Sequence, residues 1–275
     1  MENVIAKKSL GQNWLKSKVA LNKMLEAGDV TADDIVLEVG PGQGILTEKL
    51  LEKAKKVIAV EKDDRLISFL QEKFTNEIDS GNLILIHSDI LNFDTQYWIP
   101  DTQYKLIANI PYYITGQFLR KFLATPSSLN SVARSTKSGF RETKNQPSKI
   151  VIMVQKEIAQ RIVANDKKES ILSISVKAYG QPKMIMKVGK ENFSPAPKVD
   201  SAILLINNIS KDFFTQNKIS EEKFFAILHA GFAHKRKILS SNLKGFVSPE
   251  KLASLTPKIR AEDLNLEGWG RLGNK

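Results

Sequence analysis

From Ile35 onward, short apolar runs alternate with segments of helical periodicity, and this alternation limits the possible folds more than any other feature. The predicted strands are Ile35–Val39, Val57–Val60, Leu83–His87, Lys105–Ala108, Ile150–Val154, Lys183–Val188 and Ala202–Ile206. The predicted helices are Gly44–Lys53, Asp64–Phe74, Thr115–Ala124 and Gln155–Ala164. Strands that alternate with helices form parallel βαβ units. The pattern therefore predicts an α/β fold with a mostly parallel, seven-stranded sheet.

The character of the chain changes after Asn208. Residues 211–275 have a helical pattern, are rich in lysine and contain no strand signal. We therefore predict an α/β domain over residues 1–207 and a small all-α domain over residues 208–275. The stretch Ser127–Ser148 is polar and basic, which predicts a long surface loop, either a tolerated insertion or an RNA-contacting arm.

Composition narrows the possible partners. The formal net charge of +11 favours a polyanionic partner, because neutralised phosphates release condensed counterions, although a merely soluble basic protein remains an alternative. The absence of cysteine excludes disulfide scaffolds, thiolate zinc sites and cysteine nucleophiles. The three histidines are scattered, so we predict no metal site. No signal peptide or membrane-spanning run is recognisable, and we expect a cytoplasmic protein.

A glycine turn follows the first predicted strand, in the sequence Leu37-Glu-Val-Gly-Pro-Gly-Gln-Gly-Ile45. Glycine permits positive φ and close approach of the backbone to a ligand, and a following helix favours a negative group. A dinucleotide fingerprint needs the spacing G-x-G-x-x-G, but Gly44 comes one residue too early for it. The spacing argues against NAD, while a purely structural turn remains an alternative for this motif alone.

Carboxylates follow the next two predicted strands. Glu61 lies where an acidic side chain accepts from ribose hydroxyls, and Asp89 lies where it can accept from an adenine amino group. Each could separately be a loop residue or a helix cap, but the carboxyl ends of parallel strands converge on one crevice. The residues expected to share this crevice are Glu38, Gly40, Gly42, Gly44, Glu61 and Asp89. The set resembles the cofactor site of class I methyltransferases, which implies a Rossmann-like fold and S-adenosylmethionine as cofactor.

The tetrapeptide Asn109-Ile-Pro-Tyr112 follows the fourth predicted strand. Pro111 fixes its own φ and pushes Ile110 toward an extended conformation, which directs the backbone carbonyls. The N6 lone pair of adenine is delocalised into the ring and is a poor nucleophile. The Asn109 side-chain oxygen and a carbonyl of the Ile110–Pro111 turn can bind the amino protons and orient the nitrogen. Tyr112 can stack on an extruded base, so these residues predict methylation of an adenine amine; a structural proline turn is the alternative.

Several motifs together resemble the ribosomal RNA adenine dimethyltransferase family over nearly the whole chain. They are Lys7-Lys-Ser-Leu-Gly-Gln-Asn-Trp-Leu15, the glycine turn, the tetrapeptide, Phe193-Ser-Pro-Ala-Pro-Lys-Val-Asp-Ser201, Lys235-Arg-Lys-Ile-Leu239 and Arg260-Ala-Glu-Asp-Leu264. The resemblance implies N6-dimethylation of two adjacent adenines in the 3′-terminal hairpin loop of small-subunit (16S) rRNA, with a role in subunit maturation. The implied partner is this rRNA or a 30S-type precursor particle, and the implied state is a monomer.

The resemblance also implies roles for individual residues. The implied cofactor contacts are Asn13, Leu15, Gly40, Gly42, Glu61, Asp89 and Asn109. The implied catalytic residues are Asn109, Pro111, Tyr112 and Phe193, with Tyr112 and Phe193 on the two faces of the target base. The chain departs from the family in Trp14, where phenylalanine is usual, and in the length of the 127–148 loop.

The segment His234-Lys-Arg-Lys237 predicts RNA contacts by Lys235, Arg236 and Lys237 from an expected helix, with a solvated helix face as the alternative. Lys7, Lys8 and Lys198 could extend this phosphate track.

Three rival functions remain. A DNA adenine methyltransferase usually has aspartate where this chain has Asn109. The antibiotic-resistance branch that acts on large-subunit rRNA shares the tetrapeptide, but the Arg260–Leu264 stretch fits the small-subunit branch better. A binding factor that has kept only the fold would not need the intact glycine turn.

Overall fold

The computed structural model describes residues 4–7, 10–99, 102–124, 145–164 and 166–274. Its strands are β1 (Trp14–Leu15), β2 (Ile35–Val39), β3 (Lys56–Glu61), β4 (Leu83–His87), β5 (Lys105–Asn109), β6 (Lys149–Gln155), β7 (Gln181–Val188), β8 (Phe193–Ser194) and β9 (Ser201–Asn207). Its first helices are α1 (Lys18–Gly28), α2 (Ile45–Leu51), α3 (Asp64–Lys73), α4 (Thr75–Asp79), α5 (Thr95–Trp98) and α6 (Thr115–Leu123). The later helices are α7 (Lys156–Val163), α8 (Ile171–Lys177), α9 (Asp212–Gln216), α10 (Glu221–Phe232), α11 (Leu239–Asn242), α12 (Pro249–Ala253) and α13 (Leu266–Gly273).

Seven of the strands form one sheet in the order β4-β3-β2-β5-β6-β9-β7. The pairs from β4 to β6 are parallel, whereas β9 is antiparallel to both β6 and β7. The predicted fold class, a Rossmann-like and mostly parallel seven-stranded sheet, is therefore confirmed. The chain leaves β2 toward β3 and β4 on one side and later returns to β5 on the other. This reversal creates a crevice at the carboxyl ends of the central strands.

The central strands are largely apolar because both faces of the sheet are covered, although Glu38 is a buried polar residue within β2. Leu37 and Val39 belong to the apolar core on one face, while Val36 between them belongs to the core on the other. Successive strand side chains point to opposite faces, so burial on both sides favours a nearly continuous apolar run. The strands predicted from such runs are found within two residues of their predicted bounds.

The C-terminal helices pack against the same side of the sheet as α6 and α8. The ring of Tyr179 lies 5.1 Å from the ring of Phe214 and 6.2 Å from that of Phe225. Trp269 is buried and donates its indole N–H to the Leu264 carbonyl at 3.1 Å. One apolar core joins these residues to the sheet, and the division at residue 208 stays a prediction.

One small structural element was not predicted. Strands β1 and β8 pair as a separate antiparallel ribbon, with Leu15 opposite Phe193. Most of the predicted 127–148 loop lies outside the described residues. Within the described ranges, no helix is long and apolar enough to cross a membrane. The same ranges contain no group of three or more metal-binding side chains.

Candidate active site

An open cavity of about 220 Å³ lies at the carboxyl ends of β2, β3, β4 and β5. The segment Leu10–Leu15 forms another part of its wall. The predicted site residues that line it are Asn13, Leu15, Gly40, Gly42, Glu61, Asp89, Asn109, Pro111 and Tyr112. The structure therefore brings together, at one crevice, residues that come from five separate parts of the sequence.

The glycine turn is shaped by close contacts that exclude side chains. Gly42 has φ of +58°, and a Cβ atom there would lie 3.0 Å from the Trp14 ring. Gly44 has φ of +75°, and its Cβ would lie 2.5 Å from the Phe74 ring. Both conformations are unfavourable for residues with a side chain. The turn thus exposes backbone at the cavity while the Trp14 ring packs directly on it.

Glu61 is a buried carboxylate that lines the cavity at the end of β3. Its carboxylate accepts hydrogen bonds from the backbone N–H groups of Gly42 at 3.3 Å, Lys62 at 2.8 Å and Asp63 at 2.9 Å. Burial raises the pKa of Glu61, and these N–H groups oppose the rise. A carboxylate has about four acceptor positions, so capacity remains for a hydroxyl group in the cavity.

Asp89 is held by an ion pair at the edge of the cavity. Its carboxylate accepts from the Lys62 ammonium at 2.8 Å and from the Leu91 backbone N–H at 3.0 Å. Burial acts to raise the pKa of Asp89, but the hydrogen bonds from Lys62 and Leu91 outweigh it and hold this pKa below its usual value. Asp89 is consequently an ionised acceptor near neutral pH.

The tetrapeptide ends β5 with two free acceptors. The Asn109 side-chain N–H₂ donates to the Asn13 carbonyl at 3.1 Å, so its amide oxygen remains available. The Pro111 carbonyl accepts from the Ile114 N–H at 3.2 Å. No hydrogen bond from the described residues reaches the Ile110 carbonyl, which makes it the better second acceptor of the two in the turn.

Tyr112 is fixed at both ends. Its hydroxyl shares a hydrogen bond of 2.5 Å with the Ser201 hydroxyl, and its backbone carbonyl accepts from the Thr115 hydroxyl at 2.9 Å. Burial raises the pKa of Tyr112, so the ring is neutral near neutral pH. A half-buried ring with both ends anchored is a rigid surface for stacking.

Phe193 does not line this cavity. It is 2% exposed and lies in β8 opposite Leu15, within the apolar core of the sheet face that also contains α1. In this arrangement Phe193 supports the segment that carries Asn13 and Leu15. Its position opposite Tyr112 on the target base stays a prediction.

The basic segment 234–237 is a turn and not the expected helix. Helix α10 ends at Phe232 and α11 begins at Leu239, and every residue from 233 to 238 is exposed. Within the described chain, Lys235, Arg236 and Lys237 form no ion pair. Of the residues considered as extensions of the phosphate track, Lys198 is exposed and Lys8 lies outside the described residues. The Lys7 ammonium lies 3.8 Å from an oxygen of the Asp63 carboxylate.

Two cavity residues, Gln12 and Lys62, and the neighbouring Asp63 were missed by the sequence interpretation. Gln12 donates to Asp63 at 2.9 Å, which ties the N-terminal segment to the end of β3, and Lys62 pairs with Asp89. A hydrogen bond from Arg65 is the main reason that the pKa of Asp63 lies well below its usual range. Lys62 and Asp63 directly follow Glu61, so their position next to a predicted cofactor contact could have indicated that they belong to the site.

Glu38 is a buried carboxyl group behind the glycine turn. It is 1% exposed, and within the described residues neither of its oxygens nor the Thr47 hydroxyl has a hydrogen-bond partner. Burial raises the pKa of Glu38 to about 8, with a smaller opposing influence from the nearby Thr47 hydroxyl, whose geometry falls short of a hydrogen bond.

We expect the parent protein to lose stability as pH rises because Glu38 must ionise while buried, and we expect Glu38→Gln to abolish this loss. Because the folded pKa lies above the unfolded value of about 4.3, the folded protein holds the extra proton between these limits. The stability that protonated Glu38 contributes is present at low pH and is lost as pH rises toward 8. Thermal melts should show Glu38→Gln gaining a few degrees on the parent between about pH 5 and 8.5. Glu72→Gln, at an exposed position, is the control, and parallel curves for parent and Glu38→Gln would contradict the expectation.

Residues 3–268 of the chain match a family model described as ribosomal RNA adenine dimethylase. A ribosomal RNA small subunit methyltransferase A from Dehalococcoides mccartyi is 42% identical, over 97% of this chain and 87% of that protein. The protein of the same name from Fusobacterium nucleatum is 36% identical, over 95% of this chain and 94% of that one.

Solved structures agree with these sequence matches. A dimethyladenosine transferase from Plasmodium falciparum superposes with a TM-score of 0.73 and 26% identity, over 94% of this chain and 95% of that one. The 23S rRNA methyltransferase ErmE superposes with a TM-score of 0.71 over 94% of this chain and 98% of that one, and its 21% identity supports the fold alone. With the family model spanning nearly its whole length, the chain belongs to the ribosomal RNA adenine dimethylase family.

Proposed function

We propose that this protein transfers methyl groups from S-adenosylmethionine to N6 of two adjacent adenines in the 3′-terminal hairpin loop of 16S rRNA, during small-subunit maturation. The observation that supports the proposal most is the convergence of Asn109, the Ile110 carbonyl and Tyr112 on a cavity that also contains Glu61. The relatives named as small subunit methyltransferases favour the small-subunit substrate over the large-subunit one.

The cavity fits a nucleoside cofactor on its donor and acceptor set. Glu61 offers a carboxylate for ribose hydroxyls, and ionised Asp89 offers one for an adenine amine. The indole N–H of Trp14 is buried against the glycine turn without a hydrogen-bond partner in the described chain. Gly40 leaves open space, because a Cβ atom there would have only the Asn109 carbonyl within 4 Å. Asn13, Leu15 and Gly42 complete the proposed cofactor contacts.

When bound, S-adenosylmethionine supplies an electrophilic methyl group on a positively charged sulfur. The residues of this chain have to make N6 of the adenine nucleophilic, since its lone pair is delocalised into the ring. Acceptance of the two amino protons by the Asn109 side-chain oxygen and the Ile110 carbonyl favours the pyramidal, more nucleophilic nitrogen. The donated bond from Asn109 to the Asn13 carbonyl holds the amide in one orientation. No strong general base is required, because the nitrogen is acidic once methylated.

Tyr112 can cover the extruded adenine in this scheme. Stacking on an aromatic ring contributes about 1–3 kcal/mol per base, and extrusion from a helix costs a few kcal/mol. The two nearly balance, so a target in a hairpin loop is easier to extrude than one in a duplex. Pro111 contributes by restricting the backbone on which the acceptors and the ring are mounted.

We further propose that residues 208–275 form the RNA-binding domain, with Lys235, Arg236 and Lys237 contacting phosphates. Exposure of the turn and its lack of acidic partners in the described chain support this role. The partner would be the rRNA or a 30S-type precursor particle. We propose a monomer that acts in the cytoplasm.

Changing Lys235, Arg236 and Lys237 together to glutamine should weaken RNA binding and flatten its salt dependence. Loss of three phosphate contacts lowers the slope of log K against log salt by about three at most, since each contact accounts for about one. Affinity for 16S rRNA hairpins measured over a range of salt tests this. The control is Lys16→Gln, Lys18→Gln and Lys23→Gln, in a region that the proposal assigns no RNA contact. An unaltered slope would place the phosphate track elsewhere.

The proposed function is tested by incubating the protein with labelled S-adenosylmethionine and small subunits that lack the modification. We expect label at two adjacent adenosines of the 3′-terminal hairpin loop, mapped by primer extension and nucleoside analysis. Label in large subunits alone would favour the rival branch, and no label in either particle would contradict the enzyme assignment.

A further inference from the structure

A second cavity lies beside the candidate active site. It has a volume of about 430 Å³ and is enclosed by α6, α8 and α10. Its walls are mostly apolar and include the rings of Tyr179 and Phe225. The volume lies in the range of small-molecule sites, about 300–1,000 Å³. Neither the cofactor contacts nor the tetrapeptide uses it.

The two cavities have a wall in common. Gln117 lines both of them. Helix α6 begins at Thr115, directly after the turn Tyr112–Ile114 that carries the stacking ring, and Gly116 is its second residue. A helix rises about 1.5 Å per residue, so the second cavity opens within one helical turn of the candidate active site.

Arg120 and His229 at the second cavity suit a ligand that carries an anionic phosphate. Arg120 is exposed on α6 and has no acidic partner among the described residues. The ring of His229, half-buried on α10, has no hydrogen bond within the described chain. Burial, followed by the charge of Arg120, lowers the pKa of His229, so the ring is a neutral donor and acceptor. The exposed basic turn begins at residue 233, one helical turn beyond His229.

We propose that this second cavity binds the nucleotide next to the target adenine, with its base against the apolar wall and its phosphate beside Arg120. The inference rests on the proposed function, because it assumes that an adenine is extruded into the first cavity. Extrusion breaks the stacking of the target on its neighbour and exposes that neighbour's face to water. The second cavity, which lies within one helical turn of the candidate active site, would cover the exposed face of the neighbouring base and so stabilise the opened loop. Arg120, His229 and the basic turn would then contact the backbone of the same RNA strand.

Gly116 offers a way to fill the cavity without harming the fold. A Cβ atom at Gly116 would meet no heavy atom within 4 Å, and the residue is helical, so Gly116→Leu also raises helix propensity. We expect Gly116→Leu to raise the KM for unmodified small subunits about tenfold, the effect of losing one stacked base. The dissociation constant for S-adenosylmethionine and the melting temperature should not worsen. Ala226→Leu, which adds similar bulk on the exposed face of α10, is the matched control.

Substrate changes identify the occupant. A 3′-terminal hairpin RNA is made with an abasic nucleotide on the 5′ or the 3′ side of the target adenine. In the parent protein one of these lesions should weaken binding about tenfold, whereas Gly116→Leu should show little further loss with the same lesion. Arg120→Gln should lower the salt slope by about one.

If Gly116→Leu and the abasic lesion each weakened RNA binding and their effects multiplied in combination, the proposal would be overturned. A KM for Gly116→Leu equal to that of the parent would also overturn it. Either result leaves methylation by the parent protein intact. Failure of the proposed function is a different result, namely no methylation of small subunits by the parent.

Discussion

Asn109→Ala should reduce methyl transfer by at least about 100-fold while changing the dissociation constant for S-adenosylmethionine by less than about tenfold. The Asn109 oxygen acts mainly by stabilising the transition state, because it favours the pyramidal form of the attacking nitrogen. The side chain also donates to the Asn13 carbonyl at 3.1 Å, which explains why a modest effect on cofactor binding is expected as well. Single-turnover rates on unmodified small subunits and calorimetric titration with the cofactor measure the two quantities separately.

Two further variants give this experiment its controls. Asn109→Asp keeps an acceptor oxygen but loses the N–H donor to Asn13, so it should retain more activity than alanine. Asn76→Ala removes an exposed amide on α4 and should behave as the parent. If Asn109→Ala lost cofactor binding and catalysis in equal proportion, Asn109 would be a cofactor contact and not an acceptor for the adenine amine.

The sheet was predictable because periodicity reports burial directly. Strands such as Ile35–Val39 are covered on both faces, which favours a nearly continuous apolar run, with Glu38 as the exception in this strand. The ribbon of Trp14–Leu15 with Phe193–Ser194 was not predictable in the same way. Two-residue strands are too short to show a period, and their pairing joins residues about 180 positions apart in the sequence.

The candidate site was predicted where topology decides position. Glu61, Asp89 and Asn109 each follow a parallel strand, and parallel strands bring their carboxyl ends to one edge. Side-chain pairing was not predictable, because the Gln12–Asp63 and Lys62–Asp89 contacts depend on how loops fold over that edge. The basic segment was expected on a helix, but it is an exposed turn between α10 and α11. A run of charged residues has no apolar period, so the sequence predicts that the segment is exposed but does not predict its backbone conformation.

Gly42→Val should abolish cofactor binding at practical concentrations, raising the dissociation constant by about 100-fold or more. Positive φ at +58° strains any β-branched residue, by about 1–3 kcal/mol. The added Cβ would also lie 3.0 Å from the Trp14 ring, which is packed on the turn. The Gly42 N–H donates to Glu61, so a displaced turn also disturbs the carboxylate proposed for the ribose hydroxyls. Calorimetric titration with S-adenosylmethionine is the measurement.

Gly81→Val separates backbone strain from the effect on the cavity. Gly81 has φ of +77°, and a Cβ atom there would meet no heavy atom within 4 Å. It lies between α4 and β4 and outside the cavity wall, so Gly81→Val should lower the melting temperature while cofactor affinity stays at the parent level. If Gly42→Val bound the cofactor as the parent does, the glycine turn would serve the fold alone, and the cofactor would have to be held by other residues.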